Sequence, residues 1–133
     1  MTRKEFDAEV RKLFEAHHEL IQRPNEKEKR SNGIYDRYRF PILTWEHTPV
    51  FWRYDLDYDR NPFLMERLGM NTIFNAGAIA LNGKYYLVAR CEGVDVKSFF
   101  AVAESPNGID RFKFWDHPVE MPVTENVYEA LEH

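Results

Sequence analysis

The chain has 133 residues, 44% of them hydrophobic and 15% aromatic, and a formal net charge of −4. That apolar and aromatic content excludes a disordered chain. The acidic balance, with bases and acids interleaved as in Glu26-Lys27-Glu28-Lys29-Arg30, disfavours a nucleic-acid surface.

The opening residues carry charge throughout and lack the apolar core of a secretory signal. No apolar run nears the roughly 20 residues a membrane span needs. One cysteine, Cys91, permits no internal disulfide, which fits a reducing compartment, so the expected location is cytoplasmic.

Residues 1–23 read as an amphipathic helix. Phe6, Val10, Leu13, Phe14, His17 and Ile21 recur at steps of three and four, which places them on one face. Thr2 and Glu5 have the spacing of a capping box, and Pro24 ends the pattern. Residues 24–70 form an aromatic, turn-rich connecting segment. Short strands are expected around 38–43 and 50–54, broken up by Pro41, Pro49 and Pro62. Asn61 to Glu66 reads as a turn followed by a short helical segment.

Residues 71–118 change character. Strands are expected over 72–81, 84–91, 97–104 and 112–115. Asn82-Gly83 is a strong two-residue hairpin signal, because both positions tolerate positive φ. In the second strand Tyr85, Leu87 and Ala89 alternate with Tyr86, Val88 and Arg90, which assigns the two sets to opposite faces. Ser105-Pro106-Asn107-Gly108 has turn chemistry. Four antiparallel strands joined by tight turns make a meander, the unit of a propeller blade. Residues 119–133 read as the incomplete start of a next blade, and Leu131-Glu132-His133 as the start of a vector-derived tag. The fold expected is mostly β with an N-terminal helix. No second copy of the blade occurs in the chain.

Several segments together resemble glycoside hydrolase family 130, and within it the branch acting on mannosyl-glucose. They are Asn32-Gly33-Ile34-Tyr35, Trp52-Arg53-Tyr54-Asp55-Leu56, Asn61-Pro62-Phe63-Leu64-Met65-Glu66-Arg67, the stretch 74–108, and Phe114-Trp115. The resemblance runs over most of residues 1–128 and covers the N-terminal third or so of a typical member. It implies that the meander is the first blade of a five-bladed propeller, here truncated. It also implies that the parent is a glycoside phosphorylase catalysing inverting phosphorolysis of a β-1,4-mannoside. Mannosyl-glucose and phosphate would give α-mannose 1-phosphate and glucose. The alternatives are a β-mannoside hydrolase of the same family and a non-catalytic, oligomerising fragment. For the chain by itself, the fragment reading implies no turnover.

The resemblance also nominates site residues. Asn75, in Phe74-Asn75-Ala76-Gly77-Ala78, matches an asparagine that binds the transferred sugar. An amide both donates and accepts, which suits a polyol. Gly77 would let backbone approach a ligand. Arg90 matches an arginine lining the same site, and its guanidinium brings several fixed donors. Read without the family, Asn75 is a turn residue and Arg90 pairs with Glu92 or Glu104. Arg53 is a candidate for the acceptor side, or else pairs with Asp55.

Asn126-Val127-Tyr128-Glu129 resembles a segment whose final aspartate is the general acid, so Glu129 is the catalytic candidate. It stands one methylene longer than the pattern. The five histidines show no metal-ligand spacing, so no metal is expected; the resemblance implies no other cofactor, with inorganic phosphate as the co-substrate. The partners expected are a β-mannoside disaccharide and phosphate, with no nucleic acid and no membrane. Two open sheet edges point to a homo-oligomer.

Overall fold

The computed structural model describes residues 1–29, 33–67, 72–92 and 98–120, leaving aside the side chains of Thr72, Asn75 and Ala76. A long helix α1 (Arg3–Gln22) and a one-turn helix α2 (Val50–Arg53) precede four strands: β1 (Thr72–Leu81), β2 (Lys84–Glu92), β3 (Ser98–Ser105) and β4 (Lys113–Phe114). The strands pair in sequence order as an open antiparallel sheet.

Helix α1 begins where the sequence signals it. The Glu5 amide donates to Thr2 Oγ1 and the Thr2 amide donates to Glu5 Oε2, both at 3.2 Å. This closes a reciprocal cap. Phe6 is the buried anchor of the apolar stripe, meeting the edge of Tyr58 at 5.3 Å between ring centroids. Farther along, Phe14 remains exposed. The helix rests on α2 and on the tight 3-10 turn Trp45–His47.

Three expected elements in the connecting segment differ from the structure. Residues 50–53 form a helical turn instead of a strand. The turn points Val50 and Arg53, three residues apart, inward together, whereas a strand would send them to opposite sides. Tyr38 makes only an isolated bridge with Lys27, and Pro41 follows before a ladder can extend. Asn61 to Glu66 is not helical. The Asn61 side chain takes the place of a helix here, with Nδ2 donating to the Asp55 and Met65 carbonyls and Oδ1 accepting from the Met65 amide. Such side-chain bonds compete directly with helical ones.

The sheet follows its sequence signals closely. Leu81 faces Lys84 across the Asn82-Gly83 turn, where both residues have positive φ. On β2, Leu87, Ala89 and Cys91 are buried while Tyr85, Val88 and Arg90 are exposed. With Ala101, Ala103, Phe112 and Phe114 they form the core, capped by Ile42, Leu43, Trp52, Ile73 and Phe99. Trp52 sits edge-on to Phe99 at 5.7 Å and donates from Nε1 to the Asp116 carbonyl at 3.1 Å.

β4 is shorter than expected. After it, the Trp115 amide reaches Val102 and the Val119 amide reaches Phe100. Three residues including Pro118, which has no N–H to give, therefore loop out between them. The connecting segment is clasped to the β3–β4 turn by Asn25. Its amide donates to Asp110 Oδ2 at 2.9 Å, while its side chain bonds both backbone groups of Phe40.

Candidate functional site

Strand register sets what the family-matched residues can share. Phe74, Arg90 and Phe100 occupy one rung across β1, β2 and β3; Asn75, Ala89 and Ala101 occupy the next. Asn75 and Arg90 thus lie on adjacent rungs at the same end of the β1–β2 hairpin. Ala89 and Ala101 on the Asn75 rung are fully buried, whereas Phe74 and Phe100 flanking Arg90 stay 41% and 42% exposed.

β1 carries a bulge between Asn75 and Gly77, where its pairing jumps from Ala89 to Val88. A bulge bends its strand and re-aims neighbouring side chains, and bulges are frequent beside binding sites. Gly77 has no positive φ, and a Cβ built there would meet nothing within 4 Å. The chain's own folding therefore does not require glycine at this position.

Among the described residues, Arg90 is held by two neighbours. Its guanidinium carbon lies 4.7 Å from the Phe74 ring centroid, a cation–π distance. One terminal nitrogen is 3.6 Å from Glu92 Oε1, and both partners are partly solvated. A planar donor fork beside aromatic rings and a carboxylate can serve a polyol, giving hydrogen bonds at the fork and an apolar wall at the rings. Arg90 and Glu92 are two apart on one strand, so the residue-level alternative pairing is present as well.

Arg53 turns inward and is 7% exposed, with its guanidinium carbon 5.4 Å from the Trp45 ring and 5.7 Å from the Tyr54 ring. Its Nε is buried and has no hydrogen-bond partner among the described residues. It does not pair with Asp55. That carboxylate is taken by Arg60 through Nε at 2.9 Å and Nη2 at 3.1 Å. The Arg60 guanidinium also holds the Asp55 carboxyl well down, to about 2. The sequence reading passed over Arg60, although the spacing Asp55-x-Asp57-x-Asp59 immediately before a base was its signal.

Glu129 lies outside the described residues. Cys91 is buried, and burial pushes its thiol up to about 11, so it is a packing residue and not a nucleophile. Among the described residues, no group of three or more His, Cys, Asp or Glu side chains is placed to hold a metal ion, and no helix is long and apolar enough to cross a membrane. An open apolar groove of about 210 Å³ lies at the other end of the hairpin, lined by Ala78, Ala80, Tyr85, Leu87 and Phe112 among others.

The chain is similar to a mannosylglucose phosphorylase. It is 56% identical over 128 residues to the 4-O-beta-D-mannosyl-D-glucose phosphorylase of Bacteroides fragilis. The match takes in 93% of this chain and 33% of that protein, so the chain spans a third of the length of the relative. No family model matches the chain. The resemblance read from the sequence motifs, to the N-terminal portion of such an enzyme, is borne out by this comparison.

Proposed function

We propose that this chain is the N-terminal part of an inverting phosphorylase that cleaves mannosyl-glucose with phosphate to give α-mannose 1-phosphate and glucose. The observation that carries the reading is 56% identity over 93% of the chain to an enzyme of that name.

In this reading the four-stranded sheet is one blade of a propeller. Its exposed face, with Phe74, Ile79, Val88 and Phe100, is then covered by the rest of the parent protein. Asn75 and Arg90 bind the mannosyl unit, with Phe74 and Phe100 flanking the arginine. Arg53 acts indirectly, fixing the segment around Trp45 and Tyr54. Glu129 is the candidate acid that protonates the departing glycosidic oxygen. Phosphate attacks the anomeric carbon from the opposite face, so configuration inverts and no activated water is needed. Phosphate is the only co-substrate, and the reaction belongs to a cytoplasmic setting in which a buried free thiol persists. Open sheet edges favour self-association of the separate chain.

The test is glucose release from mannosyl-glucose by the full-length protein. It should require inorganic phosphate, and the 133-residue chain alone should release none. Equal release without phosphate would make the parent a β-mannoside hydrolase and overturn the proposal.

A further inference from the structure

His47 sits under the C-terminal end of α1, 4% exposed, as the last residue of the Trp45–His47 turn. Its hydrogen bonds fix its protonation state. The Thr44 amide donates to Nδ1 at 2.9 Å, and Thr44 Oγ1 lies at the same distance. A nitrogen that accepts from a backbone N–H carries no proton, so the ring is neutral with its hydrogen on Nε2. In return, the His47 amide donates to the Thr44 carbonyl at 3.0 Å. The turn is therefore closed from both sides by one residue pair.

The groups facing this ring are mostly cationic. Arg23 and Leu20 of the α1 end line the same cleft, with Asn25, Asp110 and Arg111 on the far wall. His17 of α1 also bears on it, and its Nδ1 is 3.4 Å from the Glu46 carbonyl in the same turn. His17 in turn faces Arg53, Lys113 and His18. The carboxylate in the cleft, Asp110, is already engaged by the Asn25 amide, the Asn107 side chain and Arg111. A proton on His47 would thus arrive on the acceptor atom that holds Thr44, next to Arg23, while the Asp110 carboxylate of the cleft is already engaged and Glu46 of the same turn is exposed to solvent.

We propose that His47 is an acid-sensitive latch, and that proton uptake at Nδ1 opens the Thr44–His47 turn and releases the C-terminal half of α1 from the sheet-bearing body. Burial lowers the ring from its ordinary 6.5 to about 4, with Arg23 and His17 acting in the same sense. The sign follows. The released state takes up the proton more readily than the docked one, so docking weakens as pH falls from 6.5 and levels off near 4.

The experiment is hydrogen exchange with mass spectrometry on the full chain, expressed as protection factors across that window. In the wild type, α1 peptides should lose protection by up to about tenfold per pH unit while β2 and β3 peptides hold theirs. His47→Asn keeps an acceptor near the Nδ1 position and cannot titrate there, so its α1 protection should fall much less with pH, the remainder coming from His17. His17→Gln should keep the greater part of the response, because burial is the first cause that lowers His47 and His17 only adds to it. An unchanged pH response in His47→Asn, its loss in His17→Gln, or simultaneous loss of helix and sheet protection would overturn the proposal. If His47→Asn fails to fold, NMR titration of the wild-type ring decides: a midpoint at or above 6.5 rules the latch out, and one well below it supports the latch.

Discussion

Arg90 and Phe74 face each other across β2 and β1, with the guanidinium carbon 4.7 Å from the ring centroid and Phe100 completing the rung on β3. The arginine is therefore positioned by an aromatic neighbour that is itself half exposed. Among the described residues it is not paired with a buried acid. Such an arrangement adds little to folding and leaves donors available.

Replacing Arg90 by Met in the full-length protein should reduce kcat/KM for mannosyl-glucose by roughly 10- to 100-fold, the scale of losing one or two hydrogen bonds to substrate. Stability should change by no more than about 1 kcal/mol, because the Glu92 pair is partly solvated. Parallel kinetics and urea unfolding check both halves. A stability loss without an activity loss would return Arg90 to a purely structural role.

The two glycines Gly77 and Gly108 should separate binding from folding. Gly108 has φ +75° and a Cβ there would meet the Tyr85 ring at 3.0 Å, so Gly108→Ala should cost about 1 kcal/mol or more. Gly77 has open space and no positive φ, so Gly77→Ala should fold as the wild type does. In the full-length protein Gly77→Ala should nonetheless lose activity, since the methyl would stand where a ligand nears the backbone. Denaturation midpoints and initial rates on the two variants make the comparison.

Phe114 carries the short β4 into the core, and truncating it should be severe. Phe114→Ala should destabilise by about 3–5 kcal/mol, a large part of the stability a domain of this size holds. Far-UV circular dichroism at room temperature should show partial or complete loss of the sheet.

Asp55 should report on Arg60. Its folded carboxyl is held down to about 2 by that guanidinium, so the stability it contributes is present above the ordinary carboxylate value and is lost as pH falls towards 2. Carbon-detected NMR titration should find Asp55 returning to the ordinary range in Arg60→Ala, and an unmoved Asp55 would remove Arg60 as the cause.

Much of the sheet was legible because its signals are local. Asn82-Gly83 demands positive φ at two positions, and the Leu87, Ala89 and Cys91 alternation needs only a count of two. The placing of Asn75 near Arg90 also follows from counting back through a tight hairpin. What escaped is non-local. The bulge after Asn75 has only the in-strand glycine Gly77 as its mark, and Phe100 joins the Arg90 rung only once the β2–β3 register is fixed. Val50 to Arg53 looks β-like by composition, yet its conformation is decided by burying Val50 and Arg53 on one side. Asn61 to Glu66 has helical spacing, but the Asn61 side chain captures the backbone groups a helix would use.

The most direct measurement on the central claim is NMR of the reaction products of the full-length protein supplied with mannosyl-glucose and phosphate. The expected result is glucose and a sugar phosphate in equal amounts, the phosphate on the mannosyl anomeric carbon in the α configuration. Free mannose as the sole mannosyl product, or a β-configured phosphate, would contradict the account.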